Sequence, residues 1–144
     1  MTLAVTDAEL QALLSEVAFT RLFGFRVHSI ADGVCTLEVP FQDAFELPGG
    51  VVSGPVFTAA ADVAMWLAVM TRLGRADMSV TAEMTTAFLA GARREAFRCT
   101  ARILKLGRRL IYGVAECRNE GGALLTHHTL TYVRPDSSGP APSA

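Results

Sequence analysis

Several chemistries are excluded by what this 144-residue chain has little of. Cysteine is scarce and odd in number, and Cys35, Cys99 and Cys117 stand far apart with no Cys-x-x-Cys pair. A disulfide framework and a thiolate zinc site are therefore excluded, and three reduced thiols in a cytoplasmic compartment are expected. There are three histidines, His28, His127 and His128, and the adjacent pair lies in a strand pattern that points its members to opposite faces. No His-x-x-x-His or His-Glu pair occurs, so no metal is expected. Charged residues make up 19% and the net charge is −1, with no basic stripe to suit nucleic acid. No basic segment followed by an apolar one opens the chain, so no signal peptide is expected. A single long apolar run, residues 54–70, sits at the short limit for a membrane span, and an aspartate at its centre argues for a core helix instead.

What the chain does have is apolar surface to bury. Hydrophobic residues make up 51% and the mean hydropathy is +0.34. That is enough for one folded domain over residues 1–134, with a surplus that a second copy of the chain would cover. Residues 135–144, rich in Pro, Ser and Ala, are expected to form a flexible tail.

Thr6 with Glu9 three residues on forms a capping box, and Leu10, Leu13, Leu14 and Val17 recur at helical spacing; a first helix is predicted over 6–19. Strands are predicted over 25–30 and 34–41, joined by the hairpin signal Asp32-Gly33. Leu47-Pro48-Gly49-Gly50 breaks regular structure. A long helix follows, with Ser53 at its cap, Pro55 in its first turn and Gly74 at its end. Four strands are predicted after it, over 78–89, 95–106, 109–119 and 123–134. An α+β fold satisfies this order: one antiparallel sheet wrapped around one apolar helix.

Asp62 is the one charge in the apolar run 54–70 of that helix. A carboxylate stripped of water costs several kcal/mol unless it is paired, protonated or at the rim of a cavity. It is therefore either a functional group, or one bonded to nearby backbone or facing out through a gap.

The window from Gly50 to Asp62 resembles the hotdog-fold acyl-CoA thioesterases of the phenylacetate-degradation type. Their signature runs Gly, two residues, His-Gly-Gly, four residues, Leu-Ala-Asp. Gly50, Gly54, Ala61 and Asp62 match it, whereas Ser53 stands for the His, Pro55 for the second Gly, and Leu47 for a preceding Asn. Val80–Leu89, Lys105-Leu106-Gly107-Arg108-Arg109 and Glu116–Thr126 resemble the family's later strands and turns. The resemblance implies hydrolysis of an acyl-CoA thioester by a homodimer or homotetramer, with CoA as part of the substrate and no separate cofactor. It also places Thr81 near the substrate channel, with an ordinary strand role as the alternative. It makes Lys105, Arg108 and Arg109, which flank a turn, candidates to meet the CoA phosphates, with plain solvent exposure as the alternative.

The chemistry fits the residues. Thioester hydrolysis needs a base or nucleophile, for which Asp62 serves, and a donor to the developing oxyanion, for which the Gly54 N–H at a helix start serves. Ser53 is a possible auxiliary donor or simply the helix cap. Asp62 and Gly54 are separated by about 12 Å of helix. Both can act on one carbonyl only if they come from two chains. Trp66, one turn beyond Asp62, and Met65 are candidates to line the acyl pocket, with ordinary core packing as the alternative. The rival function is a non-catalytic acyl-CoA binding protein on the same scaffold, or an interaction subunit in which Asp62 only bridges a dimer.

Overall fold

The computed structural model describes residues 2–136, so most of the expected tail lies outside the described residues. The capping box forms as predicted: Thr6 Oγ1 accepts from the Glu9 N–H at 3.1 Å, and Glu9 Oε1 accepts from the Thr6 N–H at 3.1 Å. The helix does not run through to residue 19. It is split into α1 (Asp7–Glu16) and α2 (Ala18–Phe23) by Val17, whose backbone is extended. The break is stabilised locally. The Thr20 hydroxyl donates to the Leu14 carbonyl at 2.7 Å, satisfying an acceptor that the interrupted helix leaves open.

β1 (Arg26–Ala31) and β2 (Val34–Val39) form the predicted hairpin, with Gly33 in the left-handed region at φ +69°. The breaker segment is more ordered than its composition suggests. It carries a 3-10 turn (Asp43–Phe45) and a two-stranded ribbon of β3 (Glu46–Leu47) and β4 (Val51–Val52). α3 (Gly54–Leu73) follows, then β5 (Val80–Phe88), β6 (Phe97–Leu106), β7 (Leu110–Asn119) and β8 (Leu124–Val133).

The large strands form one six-stranded sheet in the order β1-β2-β6-β7-β8-β5, antiparallel throughout. α3 is long and apolar enough to cross a membrane by length and composition, but it is mostly buried, packed chiefly on β6, β2 and β7. Leu67, Ala64 and Met65 are shut from solvent. Burial of each large side chain contributes about 1.5–3 kcal/mol. The three cysteines are free, buried strand residues on this inner face.

Packing is uneven around the helix. β5 pairs with β8 on one side only, and its residues are exposed or at most half-buried along its whole length. The flank of α3 nearest β5, which carries Asp62, is correspondingly the least covered.

Candidate active site on the open flank of the helix

Asp62 is half-buried and borders a cavity of about 390 Å³, together with Trp66, Thr81, Tyr132, Val80 and Phe19. Two hydroxyls converge on one of its oxygens. Thr81 Oγ1 donates to Asp62 Oδ1 at 2.6 Å, and the Tyr132 O–H reaches the same Oδ1 at 2.7 Å. The tyrosine oxygen is also 2.7 Å from the Asp62 backbone carbonyl. Burial, reinforced by the Asp62 charge, pushes the Tyr132 phenol above its ordinary range, so it stays protonated and able to donate. Among the described residues no cation pairs with Asp62.

A β-bulge aims Thr81 at the helix. β5 is in register with β8 at Met84↔Leu130 and Glu83↔Thr131, skips Ala82, and resumes at Thr81↔Tyr132. Leu130 and Tyr132 are buried on the inner face. Counting back by twos from Met84 would place Ala82 inward and Thr81 outward; the extra residue reverses this and turns the hydroxyl toward Asp62.

Gly54 lies at the start of α3 and borders a separate pocket of about 340 Å³ with Phe88, Leu47 and Phe57. A Cβ at Gly54 would sit 3.2 Å from the Phe88 ring. Ser53 occupies the cap position, but its side chain makes no capping bond, which corrects the capping expectation. Its backbone does the work there: the Ser53 N–H donates to the Phe45 carbonyl at 2.8 Å, and its carbonyl accepts from Val56 at 3.1 Å. Pro55 in the first turn already limits the number of N–H groups needing a partner.

The remaining predicted residues divide. Trp66 and Thr81 join Asp62. Met65 does not: it is fully buried and packs its sulfur and methyl against Gly113 of β7, so it belongs to the core beneath the sheet. Lys105, Arg108 and Arg109 are exposed around the β6–β7 turn and do not line the Asp62 cavity. The turn lies at the same end of the sheet, since Leu110 pairs with Val133, which pairs with Val80. Arg134, which the sequence reading did not select, buttresses this turn by donating to the Gly107 carbonyl at 3.0 Å. A polar groove on the outer sheet face holds Arg98 and Arg118, but Glu38 and Glu116 balance them in half-exposed ion pairs.

Phe19, Val80 and Tyr132 line the site and were not selected from the sequence. Tyr132 carried one usable signal, because it shares strand parity with the apolar Leu130, and a buried tyrosine needs a partner for its O–H. Phe19 carried none, because its position follows from the break at Val17.

A sheet wrapped on a buried helix, with a carboxylate on the helix's open flank, defines an α+β protein of hotdog type. The chain belongs to the thioesterase superfamily, whose family model matches residues 49–126, more than half its length. A candidate thioesterase from Silicibacter sp. TM1040 is 33% identical with a TM-score of 0.85, over 94% of this chain and 96% of its own. A conserved protein from Pseudomonas aeruginosa is 28% identical with a TM-score of 0.79, over 85% of this chain and 98% of its own. A thioesterase from Haemophilus influenzae shares the fold with a TM-score of 0.84 at 22% identity, over 94% of this chain and 96% of its own. No curated protein matches the chain significantly. Membership of this superfamily supports thioester hydrolysis in general.

Proposed function

We propose that the protein hydrolyses a small or medium acyl-CoA thioester to free acid and CoA, at a site shared by two copies of the chain. The observation that carries this reading is the Asp62 carboxylate at its cavity. Hydroxyls hold one oxygen, no cation neutralises it among the described residues, and an apolar wall of Trp66, Phe19 and Val80 stands beside it. In the proposed course Asp62 takes a proton from a water that attacks the thioester carbonyl. The Gly54 N–H of the second copy receives the oxyanion, the C–S bond breaks, and CoA leaves as a thiolate that then takes a proton.

The open edge of β5 supports the shared site. Its Thr81 end touches Asp62, and its Phe88 end packs on Gly54. An antiparallel copy of the strand, paired about its central Met84, would set Thr81 opposite Ala87 of the second chain. The Asp62 end of one chain then meets the Gly54 end of the other, which closes the gap of about 12 Å between these groups within a single helix. An unpaired edge of this length is otherwise a liability. Ser53, with its hydroxyl free of the cap, stands beside the donor. Lys105, Arg108 and Arg109 are the proposed contacts for the CoA phosphates. Within the superfamily, the spacing from Gly50 to Asp62 favours the phenylacetate-degradation type.

The test is a panel of acyl-CoAs of graded chain length, with free CoA read by a thiol reagent, on wild type and Asp62→Asn. Release of CoA that falls by about 10²-fold or more in the variant, with the fold retained, is expected. Calorimetric binding of acyl-CoA without any release would replace the enzyme with a binding protein. Full turnover by Asp62→Asn would remove Asp62 from the chemistry.

A further inference from the structure

We propose that Tyr132 is a positioning residue that locks the Asp62 side chain and leaves Oδ2 as the reacting oxygen. This inference rests on the reading of Asp62 as the base. The Tyr132 oxygen lies 2.7 Å from both the backbone carbonyl and Oδ1 of the same residue. Its single proton is shared between the main-chain and side-chain oxygens of one residue, which favours the torsion that keeps both within reach. Thr81 Oγ1 donates to the same Oδ1 at 2.6 Å, so both hydroxyls that reach the carboxylate among the described residues lie on that oxygen. No protein donor among the hydrogen bonds of the described residues reaches Oδ2, which leaves it as the oxygen available to a water in the cavity.

The clamp is itself rigid. Tyr132 is 2% exposed on the sheet's inner face near the end of β8, paired in register with Thr81 of β5. Both donors therefore arrive from one cross-strand pair, and neither has a loop's freedom. A phenylalanine at 132 would fill nearly the same volume. The hydroxyl is thus not required for packing, and its role is the hydrogen bond.

The experiment compares wild type, Asp62→Asn and Tyr132→Phe on the best acyl-CoA substrate, with kcat, KM and the pH profile of kcat/KM. Loss of turnover in Asp62→Asn establishes the underlying reading independently. Against that background Tyr132→Phe is expected to lower kcat by about 10²-fold, as for a reacting group held about 1 Å out of place, with KM nearly unchanged. The acidic limb of the profile should move to higher pH, because a carboxylate that loses a donor is protonated more easily. The chain has only two tyrosines, Tyr112 and Tyr132, so 3-fluorotyrosine incorporated in a Tyr112→Phe background labels Tyr132 alone. Its more acidic phenol retains the hydroxyl and should move the same limb to lower pH, which provides a test even if Tyr132→Phe folds poorly. A pH profile unmoved in both proteins would overturn the proposal, as would a Tyr132→Phe variant with wild-type kcat.

Discussion

If Asp62 and Gly54 act from different chains, two inactive variants should restore each other. The first variant is Asp62→Asn, which keeps an acceptor for Thr81 and Tyr132 but removes the base. The second is Gly54→Pro, which deletes the N–H proposed to receive the oxyanion. Proline is suited to a first helical position, and Ser53 before it is already extended at φ −62° and ψ 139°, as a residue preceding proline must be. Loss of the base is expected to cost about 10²–10⁴-fold and loss of one oxyanion donor about 10²–10³-fold, so each parent is nearly silent. In a hybrid dimer one site receives both lesions and the other receives neither. Random pairing of equal amounts makes half the dimers hybrid, each with one intact site of two. The mixture should therefore reach about one quarter of wild-type activity, well above either parent at 10²-fold loss. The assay is acyl-CoA hydrolysis after co-refolding or co-expression, with subunit exchange verified by mass spectrometry. A mixture that exchanges fully yet stays at the parental level would place the whole site within one chain and refute the composite arrangement.

Two stability predictions follow from the core. Gly113→Ala would place a Cβ 2.6 Å from the Arg102 backbone oxygen and against the Met65 side chain; urea unfolding should show a loss of about 1–3 kcal/mol, and an unchanged midpoint would contradict the packing. Burial pushes the Cys35 thiol up to about 12, above its value of about 8.5 in an unfolded chain. Its contribution to stability is thus fully present below pH ~8.5 and is lost as pH rises toward ~12, at no more than about 1.4 kcal/mol per pH unit, because the unfolded chain releases the proton first. Thermal melts across that window should show a shallower decline for Cys35→Ala than for wild type, and parallel slopes would rule out this origin.

How much of the site could be read from the chain depends on which residues carry it. Asp62 was legible because one charge in a 3.6-residue apolar repeat conflicts with burial. The six strands of the large sheet were legible from alternation and from glycine at the turns, and their bounds agree with the structure to within two residues, whereas the short β3 and β4 were not predicted. The break at Val17 was not legible, because a β-branched residue at a helical apolar position reads as continuation; its extended backbone and the Thr20 contact to Leu14 show the chain leaving the helix there. Ser53 was misread as a side-chain cap because residue type alone does not show that its backbone, bonded to Phe45 and Val56, already organises the helix start. Met65 and Trp66 are adjacent in sequence and both apolar, yet one faces the sheet and the other the cavity. Their assignment needs the rotation of the helix against the sheet.

The sequence by itself determined the order of elements, the buried helix and the carboxylate that does not belong in it, because these follow from local periodicity and the cost of burying charge. The tertiary structure decided which groups that carboxylate meets. A skipped residue at Ala82 turns Thr81 inward, and a strand register sets Tyr132 beside it. Register and bulges are fixed by pairing between segments far apart in the chain, and no local pattern encodes them.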